Sequence, residues 1–147
     1  IVHLFNPPNG WLQNCNSTPF SVAGVNSPKK ENYPAYMAPD GENFRGVNAV
    51  RILGRENKYT VDKVIATGYD TYLSAFEILV PALIQSFEKN IASGDTTYNQ
   101  LNDPIAVLKN WDYHSGEQSV ATTLAIEWAQ KLDKSIQKIY TDEGETD

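Results

Sequence analysis

The chain has 147 residues, enough for one domain with a buried core, and its 12 Lys and Arg against 18 Asp and Glu give a formal charge of −6. That balance argues against a nucleic-acid-binding module and against a polybasic membrane anchor, both of which need a basic face to meet phosphates, and no apolar run approaches the ~20 residues of a bilayer span. One cysteine, Cys15, excludes an internal disulfide and a multi-cysteine zinc site, and two histidines, His3 and His114, are too few for most histidine-rich metal centres.

Six of the eight prolines (Pro7, Pro8, Pro19, Pro28, Pro34 and Pro39) fall in the first forty residues. Proline fixes φ and lacks a donor, so residues 1–43 are expected to form an irregular arm. Within it, Ile1–Phe5 and Trp11–Cys15 have strand character and flank the turn sequence Asn6-Pro-Pro-Asn-Gly10, which predicts a short irregular β-hairpin. From Phe44 onward the pattern becomes helical. Val47, Val50, Ile52 and Leu53 precede Gly54 and predict a short helix that stops there. Thr60 is placed to cap a helix from Val61, with Val64 and Ile65 inside.

The clearest periodicity is Tyr69, Tyr72, Leu73, Phe76, Leu79, Val80, Leu83, Ile84 and Phe87, with Pro81 expected to kink this helix or to start a second. Asp103-Pro104 reads as a helix start running towards Asn110, and Ser115-Gly-Glu-Gln118 has capping-box spacing. A long helix should follow, marked on one face by Val120, Leu124, Trp128, Leu132, Ile136 and Ile139. The fold class that results is mainly α: a small helical bundle over 44–140 carrying the Pro- and Asn-rich arm of 1–43, with 141–147 as a frayed acidic tail. The chain opens on Ile1, without an initiator Met or the apolar core of a signal peptide, and is expected to be a piece of something longer.

Most catalytic templates are absent: there is no glycine-rich phosphate loop, no Gly-x-Ser-x-Gly elbow and no His-Glu-x-x-His. Cys15 could act as a nucleophile with His3 or His114, but a small residue packed in a strand is the simpler reading for Cys15, and a loop or cap residue for His114. Asp62, Asp70, Glu77 and Glu88 read as a solvated helix face rather than a glycosidase pair; Asp70, beside the apolar stripe, is expected to accept a hydrogen bond from Arg51 or a hydroxyl. The distinctive segment is 6–19. Strand alternation would place Asn14 and Asn16 on one face, with Leu12 beside them. A carboxamide offers an N–H donor that stays neutral at every pH, which suits a developing oxyanion; satisfaction of turn backbone is the alternative use.

Asn6-Pro-x-x-Gly10-Trp-Leu-Gln-Asn14-x-Asn16-Ser-Thr-Pro19 resembles the Asn-Pro-x-x-Gly-aromatic-aliphatic-x-Asn-x-Asn-x-x-Pro signature of the penicillin amidase family. That family comprises N-terminal-nucleophile amidohydrolases, among them penicillin acylases, acyl-homoserine-lactone acylases and aculeacin-type acylases, and the wording Gln-Asn-Cys-Asn-Ser-Thr-Pro is closer to the long-chain acylases. Further along, Arg45-Gly-Val-Asn-Ala-Val-Arg51-Ile-Leu53 is similar to the family's pair of arginines six residues apart, and Tyr59-Thr-Val-Asp62 to the phrase before its Asp…Leu-x-Pro helix, here Asp70 through Pro81. Leu108-x-x-Trp111-Asp112, followed by Ser119-Val-Ala121 and Trp128, is similar to its Leu-x-x-Trp-Asp helix pair.

The resemblance implies an internal fragment of the β-chain of an αββα hydrolase that cleaves N-acyl amides (acylated lactones, lipopeptides or β-lactams) through a Ser acyl-enzyme. It implies that Asn16 donates to the oxyanion, together with a backbone N–H from elsewhere, and that Arg45 holds that Asn and the reacting N-terminal group. Trp11 and Asn14 would then contact substrate. A guanidinium suits the Arg45 role because it is a planar fork of donors, and a positive charge near an α-amine favours the free base needed for proton transfer. Ile1 cannot be the nucleophile, so the Ser and its amine would belong to the rest of the parent, α-chain and remaining β-chain, and the segment alone would be inactive. The family's calcium site uses an Asp after a Tyr-Pro phrase; here Tyr33-Pro34 is followed by Met37 where that Asp is expected, with Asp40 as the one candidate substitute, so no cofactor is expected from this chain and calcium stays open only for the parent. The parent would be periplasmic or secreted. The competing class is a non-enzymatic helical binding module, or a degenerate relative of the acylases, with Trp11, Tyr33, Tyr36 and Phe44 as a recognition surface.

Overall fold

The computed structural model describes residues 1–56 and 58–144, with side chains to Lys138. Five α-helices follow three short 3-10 turns at Pro19–Ser21, Gly24–Asn26 and Lys30–Asn32. The helices are α1 (Phe44–Leu53), α2 (Val61–Gly68), α3 (Phe76–Asn90), α4 (Thr96–Lys109) and α5 (Val120–Gly144). The protein is thus mainly helical with an irregular N-terminal arm, and there is no strand among the described residues.

The expected hairpin does not form. Asn6, Gly10 and Asn16 all have left-handed backbone (φ 44°, 73° and 55°), so the chain turns at both ends of Trp11–Cys15, which makes no strand ladder. Pro7 and Pro8 offer no ladder donor, and Gly10 N–H instead closes a turn on Pro7 O at 2.9 Å. The cross-chain bond of this region runs from Gln13 N–H to Val22 O (2.9 Å), not to the first five residues.

The chain divides into two compact units, Ile1–Ser74 and a second from Ala75 onward. In the first unit the buried residues are Pro7, Gln13, Thr18, Ala23, Gly46 and Ser74, with no large aliphatic or aromatic side chain among them. Hydrogen bonds tie its segments to one another. Thr18 N–H donates to Gly41 O (3.0 Å), Asn9 Nδ2 to Ala23 O (3.1 Å), Ser74 Oγ to Phe44 O (2.7 Å) and Tyr59 Oη to Ile52 O (2.7 Å). α1 ends where expected, although Gly54 stays right-handed (φ −77°) and closes a last helical bond to Val50 O (3.0 Å). Thr60 caps α2 as predicted, its Oγ1 accepting from Lys63 N–H at 3.3 Å. The apolar stripe of α2 lies in solvent: Val61, Val64, Ile65 and the following Tyr69 are all exposed.

The stripe beginning at Tyr69 becomes helical only at Phe76. Asp70 intervenes, its Oδ1 accepting from Tyr72 N–H (3.1 Å) and from Asn48 Nδ2 (3.0 Å), so the carboxylate organises a turn at the cost of helix. Arg51 Nη2 donates in turn to Asn48 Oδ1 (2.9 Å), and its guanidinium lies 4.3 Å from the Tyr72 ring centroid.

The second unit has the apolar core. α3 supplies Phe76, Val80 and Phe87, α4 supplies Ile105 and Leu108, Trp111 follows α4, and α5 supplies Ala121 and Ala125. The Phe76 and Trp111 rings meet at 5.3 Å, as do Phe87 and Tyr98. α3 continues through Pro81. α4 starts at Thr96 and not at Asp103-Pro104: Asp95 Oδ1 accepts from Thr97 N–H at 2.6 Å, and Tyr98, Ile105 and Leu108 continue one helical face back beyond Pro104. Likewise Ser119, not Ser115, caps α5, its Oγ accepting from Thr122 N–H at 3.2 Å. The buried edge of α5 is Ala121 and Ala125 with Leu124 and Trp128 half-buried, while Val120 and Ile136 are exposed. The Ile139 side chain and the last three residues of the acidic tail lie outside the described residues.

Candidate active site

Of the residues singled out in the arm, Asn14 and Asn16 gather at the first turn of α1. Asn43 is the N-cap, its Oδ1 accepting from Gly46 N–H at 2.9 Å. Its Nδ2 donates to two successive carbonyls of the arm, Cys15 O at 2.9 Å and Asn16 O at 3.2 Å. Two residues further, Arg45 Nη2 donates to Asn16 Oδ1 at 3.3 Å. Asn14 closes the loop from within: its Oδ1 accepts from Asn16 N–H at 3.0 Å.

Asn16 itself is exposed and left-handed (φ 55°), a conformation that Asn tolerates better than other non-glycine residues. Its backbone N–H, its carbonyl and its side-chain oxygen are each bonded, and its Nδ2 has no partner among the described residues. Because a guanidinium can only donate, the Arg45 contact fixes which end of the Asn16 amide faces it and turns the NH2 group away from Arg45. The strand alternation expected for Asn14 and Asn16 is therefore replaced by a turn in which Asn14 holds backbone and Asn16 presents a donor.

Gly46 lets the arm reach the helix. A Cβ at this position would lie 2.8 Å from Ser17 Oγ, closer than a Cβ tolerates, and 3.3 Å from Ser17 Cβ, tighter than ordinary contact. Trp11 sits apart from this cluster. Its half-buried ring lies against Gly24 and lines a cavity of about 500 Å³ together with Pro8, Val25, Asn26 and Val50, with neither Asn16 nor Arg45 in its wall. Among the other aromatics of the arm, Tyr33 packs on Phe20 (centroids 5.7 Å apart), while Tyr36 and Phe44 are exposed.

Cys15 is a half-buried free thiol whose carbonyl is held by Asn43. The His3 ring is exposed, with Nδ1 3.3 Å from Ile1 O. His114 acts through its backbone: Trp111 Nε1 donates to its carbonyl at 2.9 Å. Met37 carries a thioether, a soft donor that suits calcium poorly, and no group of three or more His, Cys, Asp or Glu able to hold a metal occurs among the described residues. Asn43, which sequence reasoning missed, carried a legible signal: an Asn directly before a helical run is an N-cap candidate.

A neutral amide donor aimed by a guanidinium is equipment suited to acyl transfer, where charge develops on a carbonyl oxygen. Residues 1–143 match the penicillin amidase family, and the chain belongs to that family. Membership points to a hydrolase parent of the acylase type. No solved structure matches the chain. No helix among the described residues is long and apolar enough to cross a membrane.

Proposed function

We propose that this chain supplies the oxyanion-stabilising part of an exported acylase that cleaves N-acyl amides through a Ser acyl-enzyme, with the Ser and its α-amine carried by chain outside these residues. The observation that carries the reading is the Arg45 Nη2 to Asn16 Oδ1 bond at 3.3 Å, which leaves Asn16 Nδ2 as the outward donor of an otherwise fully engaged residue. As the Ser oxygen attacks the acyl carbonyl, negative charge grows on the carbonyl oxygen; Asn16 Nδ2 donates to it, and the Arg45 charge behind the amide polarises that donor in the same sense. Collapse of the tetrahedral species expels the amine and leaves the acyl-enzyme, and water repeats the sequence with the same donor in place. Asn14 acts by holding the Asn16 N–H, and Trp11 contributes apolar surface to the acyl side. The lack of any large buried apolar side chain among the described residues of the first unit supports a segment that completes its packing against the rest of the acylase.

The test is Asn16→Ala in the complete acylase: kcat should fall about 10²–10³-fold with KM little changed. An unchanged kcat would refute the oxyanion role. Turnover of an N-acyl amide by the 147-residue chain alone would sink the assignment of the nucleophile to another part of the protein.

A further inference from the structure

Asn16 reaches its position only with its backbone in a left-handed turn, which is intrinsically costly for a residue with a Cβ and needs support from its surroundings. The support is specific. A left-handed residue turns its own carbonyl and the preceding one towards the same side, and here both point at a single amide nitrogen, Asn43 Nδ2 (2.9 and 3.2 Å). The two N–H bonds of one carboxamide diverge by about 120° and can serve both carbonyls at once. The opposite end of the same amide accepts from Gly46 N–H (2.9 Å), and because a backbone N–H only donates, that bond fixes the orientation of the Asn43 amide independently of the arm. Arg45, two residues on, lies in the same first turn of α1 and grips the Asn16 side chain. Backbone and side chain of Asn16 are therefore referenced to one rigid turn, the backbone through Asn43 and the side chain through Arg45.

From this geometry we infer that Asn43 is a positioning residue for amide hydrolysis: it sets the backbone conformation from which Asn16 Nδ2 meets the oxyanion. The inference rests on the oxyanion reading of Asn16. Asn43 touches no reacting atom and acts only through Asn16, which gives it a signature that a general stabilising role lacks.

The experiment is a double-mutant cycle on Asn43→Asp and Asn16→Ala in the complete acylase, with kcat, KM and thermal midpoint measured for each. Asn43→Asp is isosteric and keeps the oxygen that caps Gly46 N–H, but replaces the NH2 facing two carbonyls with an oxygen. kcat should fall by about tenfold to a hundredfold, the range in which a misplaced reacting group of about 1 Å falls, with KM within about twofold of the parent. In the Asn16→Ala background the same change should cost nothing further, because the donor it positions is gone. If Asn43→Asp does not accumulate as folded protein, Asn43→Ser, which also caps a helix but is too short to bridge to the arm, is measured by the same criteria. A wild-type kcat in Asn43→Asp, or equal losses with and without Asn16, overturns the positioning role while leaving the oxyanion reading intact. A wild-type kcat in Asn16→Ala overturns both.

Discussion

Gly46→Ala is the substitution for which local propensity and tertiary contact predict opposite signs. Inside a helix, alanine is favoured over glycine by about 1 kcal/mol, so propensity alone predicts a more stable protein. The Cβ it adds would stand 2.8 Å from Ser17 Oγ and 3.3 Å from Ser17 Cβ, where ordinary contacts begin near 3.5 Å. A hydroxyl could swing aside, but the Cβ contact remains, and Ser17 cannot withdraw easily. It sits between Asn16, tied to Asn43 and Arg45, and Thr18, whose N–H is bonded to Gly41 O at 3.0 Å. Overpacking of this kind costs about 1–3 kcal/mol, so the net effect should be a loss of about 1 kcal/mol.

Gly68→Ala, in α2 of the same unit, is the matched control. Nothing lies within 4 Å of a Cβ there, so only the propensity gain of up to about 1 kcal/mol should remain. Urea unfolding of both variants at constant m reads the difference directly, as midpoints displaced in opposite directions. Adding Ser17→Gly to Gly46→Ala removes both crowded atoms and should recover about 1 kcal/mol as a coupling energy. Gly46→Ala and Gly68→Ala raising the midpoint alike would refute the close approach of arm and helix.

In the second unit, Trp111→Ala should cost about 3–5 kcal/mol, since Trp111 is buried against Phe76, whereas Trp111→Phe keeps a ring and gives up the Nε1 bond to His114 O, a loss of about 1–2 kcal/mol by the same unfolding assay. Equal losses would mean that the ring contributes little. The Lys109–Glu88 ion pair is short (2.5 Å), but both side chains are about half exposed, so Glu88→Gln should shift stability by less than about 0.5 kcal/mol, and by less still in high salt.

The elements legible in the sequence are those whose signals are local. Thr60 before Val61 and Gly54 after Leu53 mark helix ends by chemistry contained in a few residues, and both held. At α4 the local signal misleads: Asp103-Pro104 has the chemistry of a helix start, yet a proline in mid-helix forfeits one bond where an apolar face running from Tyr98 to Leu108 is worth several contacts. The hairpin failed for a different reason: alternation describes residues that share a backbone conformation, and Asn6, Gly10 and Asn16 do not share it with their neighbours. At the site, Asn16 and Arg45 were named from the sequence, and the structure brings them together at 3.3 Å. The cap role of Asn43 is local and legible, but its bonds to Cys15 and Asn16 cross 28 and 27 residues of chain, a separation that no local pattern reports.

The left-handed backbone of Asn16 also bears on how this protein can change. Two demands meet at one position: a φ of 55°, which favours Gly, Asn and Asp, and, on the oxyanion reading, a neutral N–H donor on a short side chain, which among those three only Asn provides. Glycine would keep the turn and lose the donor. Aspartate would keep the shape and face the developing charge with one of its own. Glutamine would keep the amide but give up the backbone preference and add a methylene. No neighbouring residue type satisfies both demands, so drift at this position has no intermediate step. Rate and fold are lost through different substitutions, and a library randomised at residue 16 should return one functional answer.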